Sequence, residues 1–557
     1  MYEVLKELKS NKILLFQAVA FFFLSISLII TNGLHSCWWG GCGVYVGQWH
    51  MHDAFWHISL VKSAFSSFPF SHPFYAGETV FGYNYFIDLI LFALTKFGLS
   101  PFFAFFQFLP VAISLFYIFI SIKFCLTFFK TRAETNSVIF FLFFGSSLSY
   151  LATLYAGNTF FYSSMRGFPV VTSIQPGMMF LNLQFALTLP LILLTLLHFK
   201  KSTKLSSTIW LTVLLFMISG LKFYAGIVLS MILGGMILIR IFRKDQIKLR
   251  ALQIIAILIG DILAKSLFYS SAGSSGIPFS WAPFALPHVL LDDPVLFNNH
   301  TWTLARYYLY ENGGWRSPRL IAVEAYTVFL LAIMNFGTRL IGIFSLSIAK
   351  IRRSLSLDDL VTILVIIFTF TMPVLFVQDG GWFNTMQFLY YGVFFSSLYA
   401  GKVLAHMFNQ KKLIYTVMAV LVILLTIPNC IEQLRYITAP QNLIPDSEIS
   451  VLKKLESAPG DIVYISRPEL KNAIVPALAG KTAYYLDVDQ LMVTHLDYES
   501  RRQEMFKVSS NNILSLPVDY YYLYKEDEGV KELIKKLDNS QEVSKFAETN
   551  ELVIYQR

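Results

Sequence analysis

Apolar residues run in long segments through the first 429 positions, and polar residues gather in the stretches between them. A membrane-spanning helix needs about 20 mostly apolar residues. Clear candidate segments are 13–31, 101–122, 137–156, 179–198, 205–220, 221–242, 251–270, 321–348, 359–377, 387–407 and 412–429. A shorter candidate lies at 84–98. This pattern predicts an α-helical polytopic membrane protein.

Basic residues cluster in five of the polar stretches, which marks those stretches as cytoplasmic. The clusters contain Lys6, Lys9 and Lys12; Lys200, Lys201 and Lys204; Arg240, Arg243, Lys244, Lys248 and Arg250; Lys350, Arg352 and Arg353; and Lys411 and Lys412. Placing all five inside leaves residues 32–83, 271–320, 378–386 and everything after 429 outside. Five crossings between Lys12 and Lys200 would conflict with this orientation, so we expect 11 or 13 transmembrane helices.

The residue composition of the chain changes after Cys430, where charged residues become frequent and apolar stretches become shorter. Strand-like stretches begin at 461, 482, 520 and 552, and amphipathic stretches begin at 447, 497 and 528. We therefore predict two domains. Residues 1–429 form a transmembrane domain with its first exoplasmic loop at 32–83, and residues 430–557 form an exoplasmic soluble α/β domain.

Composition supports a cell-membrane protein with many spans. The 557 residues are 55% hydrophobic and 14% charged, which is too apolar for water-soluble domains. The excess of 44 Lys and Arg over 35 Asp and Glu does not indicate nucleic acid, because residues 430–557 carry 15 basic and 20 acidic residues. The basic excess belongs to membrane loops, and no basic face is available on a soluble domain.

The first exoplasmic loop contains the main candidate for chemistry, Asp53. From Asp53 onward the apolar positions face one side, with Lys62, Ser63 and Ser66 opposite, which predicts a helix lying in the membrane interface. His57 lies four residues on, on the same face, and can pair with Asp53. An acidic side chain at a lipid–water boundary is costly without a partner, so Asp53 is a functional candidate. The alternative is that Asp53 only caps this helix.

The sequence HDAFWHISLVKSAFSSFPFSHPFYAGETVFGYNYF, after a short tail and one helix, resembles the start of GT-C superfamily membrane glycosyltransferases. That family includes protein mannosyltransferases and bacterial aminoarabinose and galacturonic-acid transferases. Asp53 matches the acidic residue of the family's first loop, Pro69 and Pro73 match its proline-containing stretch, and GYNYF at 82–86 matches the entry to its second helix. His52 stands where several relatives carry a second acid. The tail, with ALAGKTAYYLDVD at 477–489, also resembles bacterial members.

The resemblance implies a polyprenyl-phosphate sugar donor and a glycan, lipid or protein acceptor. The acceptor hydroxyl must lose a proton, which a carboxylate can accept as general base, and a single displacement inverts the anomeric centre. Asp53 is the first candidate for the catalytic base and Glu78 the second, while His57 would orient or tune Asp53. His52 and Tyr83 are candidates for substrate binding in the same loop.

The leaving phosphate needs positive charge nearby. Arg is suited to this role because its guanidinium group donates two parallel hydrogen bonds to phosphate oxygens. Exoplasmic candidates are Arg166, Lys222, Arg306, Arg316 and Arg319. Lys222 and Arg166 could equally be anchors whose charged ends reach the interface. No metal ligands are assigned, and a divalent cation is the open alternative to basic side chains.

Two further loops contain candidates for substrate binding. The stretch HTWTLARYYLYENGGW places Trp302 and several tyrosines where they could stack on sugars, although aromatic belts at membrane interfaces explain the same residues. The loop QDGGWFNTMQF offers Asp379, Asn384 and Gln387 between apolar helices, as expected for a substrate cavity. A simple Asp-Gly-Gly turn explains Asp379 as well.

Cysteine spacing leaves alternatives open. Cys37 and Cys42 share the first loop with His35, His50 and His52, so a disulfide, free thiols or a zinc site are all conceivable. Motifs for nucleotide-driven pumps and HExxH metalloproteases are missing.

Two other classes of function compete with the glycosyltransferase. One is a lipid-linked glycan transporter or flippase, for which the intramembrane Asp261 and Lys265 are the relevant charges, although at four residues apart they could neutralise each other. The other is a non-catalytic envelope assembly protein whose soluble tail binds a partner. No sequence feature identifies the sugar or the acceptor.

Overall fold

The computed structural model describes residues 2–27, 32–37, 41–80, 82–155, 157, 182–201, 205–269, 279–293, 296–378, 382–410, 412–435, 441–469, 473–494 and 496–557. The chain divides into two compact units. The helical unit comprises Met1–Leu28, Pro110–Leu267 and Ser275–Thr438. The mixed unit comprises Ile29–Leu109, Phe268–Ser274 and Ala439–Arg557.

The helical unit is built almost entirely from α-helices. They are Tyr2–Ser10, Lys12–Ser27, Pro101–Phe128 (which enters the unit at Pro110), Arg132–Phe144, Ser149–Tyr155, Leu183–Lys201, Leu205–Leu221, Phe223–Phe242, Ile247–Phe268, Ala285–Asp292, His300–Glu311, Pro318–Phe336, Ala349–Arg352, Leu357–Leu375, Met386–Asn409, Leu413–Leu424 and Ile427–Arg435. The strands Phe279–Trp281 and Phe376–Gln378 pair antiparallel. Short 3₁₀ segments are Gly314–Arg316, Gly337–Ser345 and Trp382–Thr385.

Eight helices in the described part of the chain are long and apolar enough to cross a membrane, and two bent helix pairs raise the count to 10. The protein is therefore a multi-pass membrane protein, and the described residues of each clear candidate segment lie mostly on one or two helices. The apolar helix Ser206–Leu221 falls short of the length required, and the candidate at 84–98 is the 11-residue helix Phe86–Lys96. Residues 158–181 lie outside the described residues, so the choice between 11 and 13 spans stays a prediction.

The helix Arg132–Phe144 shows how local sequence sets an element's limits. It begins with a capping box, in which the Thr131 side chain accepts from the Glu134 N–H and Glu134 accepts from the Thr131 N–H. It ends at Gly145, and the chain bends by 49° into the helix Ser149–Tyr155. A Cβ at Gly145 would collide with the Arg339 side chain, so only glycine fits there.

The helix Met386–Asn409 is buried along most of its length and packs against Arg132–Phe144, Leu357–Leu375 and the 3₁₀ segment Gly337–Ser345. Two glycines allow the close approach of its neighbours. A Cβ at Gly392 would meet Thr369, and a Cβ at Gly401 would meet Val138. Small residues at helix contacts are typical of membrane bundles, where close packing replaces the hydrophobic effect as the driving force.

The mixed unit contains both helices and sheets. Its helices are Gln48–Lys62, Phe86–Lys96, Asp446–Ser457, Val488–Val493, Glu499–Phe506 and Val530–Asp538, with 3₁₀ turns at Ala64–Ser66 and Ile513–Ser515 and a π-helical turn at Val475–Ala479. A three-stranded antiparallel sheet is formed by Leu34–Ser36, Gly43–Gly47 and Gln441–Pro445. The first loop and the C-terminal region thus share one sheet.

A five-stranded mixed sheet forms the core of the C-terminal part. Its strands are, in spatial order, Thr482–Ala483, Ile462–Ile465, Tyr520–Tyr524, Leu552–Gln556 and Ser544–Glu548. The first three strands run parallel to one another. Leu552–Gln556 pairs antiparallel with both of its neighbours, Tyr520–Tyr524 and Ser544–Glu548. The predicted strands and amphipathic helices after residue 446 are confirmed, and so is the α/β class of this region.

The contact-based units differ from the predicted division at residues 429 and 430. That prediction assigns the first loop to the transmembrane domain, whereas residues 29–109 pack with residues 439–557 in the structure. The reason lies in the backbone pairing of the first loop with the C-terminal residues, which no local sequence pattern reveals. Gly43–Gly47 pairs with Gln441–Pro445, and the N–H of Ala483 donates to the carbonyl of Pro73.

Candidate functional site

The helix Gln48–Lys62, called here the loop helix, carries three of the predicted site residues. Its apolar side chains Phe55, Trp56 and Ile58 are completely buried, and the helix packs against the turn Val475–Ala479. The sequence predicts a helix with one polar face, but Ser63 on that face is buried as well. C-terminal residues cover part of the side expected to be polar, since Lys62 Nζ donates to Glu456 and to the carbonyl of Leu478, whereas Ser66 is exposed.

Asp53 is only half-buried on the loop helix, since 47% of its side chain is exposed. Among the described residues, none donates a hydrogen bond to its carboxylate. The neighbouring His52 places its Nδ1 3.8 Å from the Asp53 Oδ1. A carboxylate in this setting keeps its oxygens available for a proton or a hydroxyl donor.

His52 connects Asp53 to a carboxylate from the C-terminal region. Its Nε2 lies 2.7 Å from Oδ2 of Asp487, whose side chain is 1% exposed. Burial lowers the pKa of His52, but the hydrogen bond that its Nε2–H donates to Asp487 and the charges of Asp487, Asp53 and Asp489 together raise this pKa above its ordinary value. His52 therefore lies between two carboxylates that favour its protonated form.

Asp487 reaches His52 because backbone pairing fixes the segment before it. The N–H of Leu486 donates to the carbonyl of Phe74, and the N–H of Asp487 donates to the carbonyl of Pro468. Asp487 itself has φ of 54° and ψ of 79°, in the left-handed region, and precedes the short helix Val488–Val493. Asp is one of the few residue types that tolerate this conformation.

The predicted pairing of His57 with Asp53 is wrong. His57 Nδ1 lies 2.7 Å from Oδ1 of Asp88, and both side chains are buried, at 6% and 0% exposure. A completely buried carboxylate needs a partner far more than a half-exposed one does, so the imidazole turns to Asp88. The His57 ring also stacks on Phe105, with ring centroids 5.7 Å apart. His57 is placed to stabilise the fold rather than to tune Asp53.

The other first-loop candidates occupy different settings. Glu78 is exposed in a turn, where its carbonyl accepts from the His72 N–H and its N–H donates to the carbonyl of Tyr75. Tyr83 packs edge-on against Trp56, with ring centroids 5.3 Å apart, and lies near His57. Among the described contacts, none joins Glu78 or Tyr83 to Asp53.

Arg306, predicted to bind the leaving phosphate, belongs to a buried ionic network in the helical unit. Its Nε donates to Glu324 Oε1 over 2.6 Å, and its Nη2 donates to the carbonyl of Pro283 over 2.7 Å. The second Glu324 oxygen lies 3.0 Å from His288 Nε2. Trp302, four residues before Arg306, packs on Tyr326 at 5.0 Å. Two nitrogens of the Arg306 guanidinium therefore already donate to protein groups, which leaves fewer of its N–H groups for a phosphate.

The remaining described candidates of the helical unit lie in two regions of the chain. Tyr224, two residues after Lys222, contacts Phe388 beside Gln387, with ring centroids 5.0 Å apart. Lys222 is half-buried and lies between the helices Leu205–Leu221 and Phe223–Phe242. Gln387 donates to the Asn384 side chain over 3.1 Å, so these two residues do lie together. Arg166 and Asp379 lie outside the described residues.

Two acidic residues of these clusters were not identified as site candidates from the sequence. Asp88 is a lone acid in the apolar stretch FIDLILF, and that contrast is a usable signal for a buried charge. Asp487, in LDVD, carries no such signal, because its role depends on long-range pairing with the first loop. Cys37 and Cys42 form a disulfide, which resolves the three alternatives for these cysteines.

No family model and no curated protein matches the chain. Archaeal oligosaccharyltransferase AglB from Archaeoglobus fulgidus, in complex with an inhibitory peptide and a dolichol-phosphate, matches with a TM-score of 0.51 and 13% identity over 93% of this chain and 70% of that one. An Archaeoglobus fulgidus oligosaccharyltransferase tethered with an acceptor peptide containing the NVT sequon matches with a TM-score of 0.50 and 13% identity, over 93% and 69%. ArnT from Cupriavidus metallidurans in the apo state gives 0.40 and 11%, over 98% of both chains.

At 13% identity, the likeness to the oligosaccharyltransferase establishes the fold. The chain therefore has the fold of that enzyme, which agrees with the fold that the sequence resemblance to GT-C glycosyltransferases predicts. In this architecture many membrane helices accompany a mixed unit that contains the first loop and the C-terminal sheet.

Proposed function

We propose that the protein is an integral-membrane glycosyltransferase that transfers a sugar from a polyprenyl-phosphate donor to an envelope glycan, lipid or protein acceptor. The observation that carries the proposal is the Asp53 carboxylate on the loop helix of a GT-C fold. It is half-exposed, and among the described residues none donates a hydrogen bond to it. Such a carboxylate is suited to accept a proton from a substrate.

The proposed reaction is a single inverting displacement. The acceptor hydroxyl oxygen forms a bond to the anomeric carbon, while the bond from that carbon to the phosphate oxygen breaks. The bonding electron pair leaves with the polyprenyl phosphate, and the hydroxyl proton passes to the Asp53 carboxylate. A general base of this kind contributes about 10² to 10⁴-fold to the rate. Glu78 is the second candidate for this role.

The donor class is supported by the fold and by the chemistry that the loop offers. The oligosaccharyltransferase of the same fold is solved with a dolichol-phosphate and a peptide bound. A polyprenyl phosphate as leaving group needs no proton, which fits a site with one available base. The acceptor could be glycan, lipid or protein, since all three supply a nucleophilic hydroxyl.

The contacts of the basic residues rank the candidates for binding the leaving phosphate, which the sequence alone does not do. Lys222, Arg166 and a divalent cation remain candidates for its counter-charge. Arg306 is the weaker candidate, since Glu324 already accepts from its guanidinium. Trp302, Asp379, Asn384 and Gln387 remain candidates for contacts with the sugar or acceptor.

The proposed site faces the exoplasmic side of the membrane. The five basic clusters, taken as cytoplasmic, support an orientation with the first loop and the C-terminal region on the opposite side. The Cys37–Cys42 disulfide supports the same orientation, because disulfides persist in oxidising compartments.

Deletion of the gene, followed by complementation with variants, tests the proposal. We expect the deletion to remove one envelope glycan from the mass-spectrometric profile and to accumulate its polyprenyl-phosphate donor. Wild type should restore the glycan, and Asp53→Asn should not, although it reaches the membrane in equal amount. Asp446→Asn is a matched control, because this exposed carboxylate of the same unit pairs with His35.

Two results would refute the proposal. An unchanged glycan profile in the deletion strain would exclude the enzyme, and full restoration by Asp53→Asn would exclude Asp53 as the base. Purified protein in vesicles that moves labelled lipid-linked sugar across the bilayer without forming product would instead establish a transporter. Asp261 does not by itself favour that function, since Ser219 and Ser230 donate hydrogen bonds to its carboxylate.

A further inference from the structure

Asp487 is the only described residue that hydrogen-bonds the His52 side chain. We propose that Asp487 is a positioning residue, which holds the His52 ring as a cation beside the Asp53 carboxylate. The inference deepens the proposed function and rests on it, because it assigns a C-terminal residue to the working of the Asp53 site. No sequence motif links these positions, which are separated by 435 residues.

The geometry gives His52 one strong and one weaker contact. Nε2 is 2.7 Å from a buried oxygen of Asp487, so this bond is short and shielded from water. Nδ1 is 3.8 Å from Asp53, a distance at which charge attracts without a hydrogen bond. The ring therefore orients Asp53 electrostatically and leaves its oxygens available for the acceptor hydroxyl.

The backbone of Asp487 supports the same inference. A residue other than glycine in the left-handed region costs on the order of 1–3 kcal/mol, and such residues cluster at functional sites. At φ of 54° Asp487 keeps this conformation while its side chain reaches His52 and accepts from the Gln490 N–H. An uncharged Asn tolerates the same backbone and can cap the same helix.

The protonated state of His52 depends on three carboxylates that face it. They are Asp487 through the hydrogen bond and charge, and Asp53 and Asp489 through charge alone. Removing Asp487 eliminates the largest favourable contribution and leaves burial to lower the pKa of His52. With His52 neutral, Asp53 loses its neighbouring cation.

The test compares Asp487→Asn with wild type in the full-length purified protein. Hydrogen–deuterium exchange at the imidazole C2 position, measured on the His52 peptide by mass spectrometry, reports the pKa of His52 without any substrate. We expect this pKa to fall by at least one unit in Asp487→Asn. Asp489→Asn is the matched control, since it removes an equal charge two residues away and should give a smaller shift. Glu499→Gln, an exposed residue paired with Arg502, should give none.

The second readout is transfer from the polyprenyl-phosphate sugar extracted from the deletion strain. We expect kcat to fall on the order of tenfold to hundredfold in Asp487→Asn, with KM for the donor unchanged. The high-pH limb of the rate profile should move to lower pH, because His52 then loses its proton earlier. His52→Gln should lose kcat to a similar extent and show no such limb.

The outcomes separate this inference from the proposed function. An unchanged pKa of His52 in Asp487→Asn overturns the inference even if Asp53→Asn abolishes transfer. A lowered pKa with an unchanged kcat overturns the positioning role and leaves Asp53 as the base. If Asp53→Asn transfers like wild type, the proposed function fails, and the pKa measurement still reports on the Asp487–His52 contact.

Discussion

His57 lies 2.7 Å from Asp88, and this buried pair fixes the loop helix to the start of the helix Phe86–Lys96. The Asp53 carboxylate one turn away does not take part. Two of the three histidines on the loop helix thus pair with different acids. His57 binds Asp88, a buried acid of the helix Phe86–Lys96, and His52 binds a buried acid of the C-terminal region.

Breaking the His57–Asp88 pair should destabilise the protein. His57→Ala leaves the Asp88 carboxylate buried without its partner, which costs about 3–5 kcal/mol. We expect a clear drop in the thermal unfolding midpoint, measured by intrinsic fluorescence in detergent. The double variant His57→Leu/Asp88→Leu should recover most of the loss, because two apolar side chains replace the pair. If His57→Ala unfolds at the wild-type temperature, the pair has no structural role.

Local patterns of apolar and polar residues predict most of the helices and strands. The apolar segments predict the membrane helices, and the strand at 520–524 and the helix at 530–538 follow from short-range periodicity. The association of the first loop with the C-terminal region does not follow in this way. It depends on pairs such as Val44 with Ile444, whose contact is set by tertiary packing.

His72 should make the stability of the mixed unit depend on pH. Burial lowers its pKa from 6.5 to about 3, and its Nδ1 accepts from the Phe74 N–H, so the folded protein holds it neutral. A depressed histidine pKa gives stability that is complete above pH 6.5 and declines as pH falls toward 3. The decline is up to about 1.4 kcal/mol per pH unit.

The measurement is the slope of the unfolding midpoint between pH 7 and pH 5 for wild type and His72→Asn. The variant cannot take up a proton at this position, so its slope should be flatter. His35→Asn is the control, because His35 is more than half exposed and pairs with the half-exposed Asp446. Equal slopes in wild type and His72→Asn would contradict the assignment. His52 acts in the opposite sense, since its raised pKa gives stability that is lost as pH rises.

Some site residues can be recognised from local sequence, whereas others depend on contacts between residues that are distant in the sequence. Asp53 stands out in the sequence because an isolated acid in a loop between apolar segments has few structural reasons to be there. The partner of His57 could not be identified from helical spacing alone. Spacing puts Asp53 and His57 on one face, whereas the burial of Asp88, which decides the pairing, depends on the fold.

Gly401 should tolerate no side chain, because a Cβ there would lie 2.7 Å from the backbone nitrogen of Val138. Gly401→Ala must push apart two buried helices, which costs about 1–3 kcal/mol. We expect a lower unfolding midpoint and less monodisperse protein on size-exclusion chromatography. Gly234→Ala is the matched control, since nothing lies within 4 Å of a Cβ at that helical position. A similar loss in both variants would show that helix flexibility, rather than packing, is responsible.

Glu324→Gln distinguishes a structural from a phosphate-binding role for Arg306. Glu324 is 4% exposed and accepts from both Arg306 and His288, so neutralising it leaves the largely buried guanidinium without its counter-charge. Loss of one member of a buried pair costs about 3–5 kcal/mol, and the unfolding midpoint should fall accordingly. The control is Glu311→Gln, which changes an exposed carboxylate at the end of the helix that carries Arg306. An unchanged midpoint with a raised KM for the extracted polyprenyl-phosphate sugar would instead show that Arg306 serves the donor and that Glu324 only orients it.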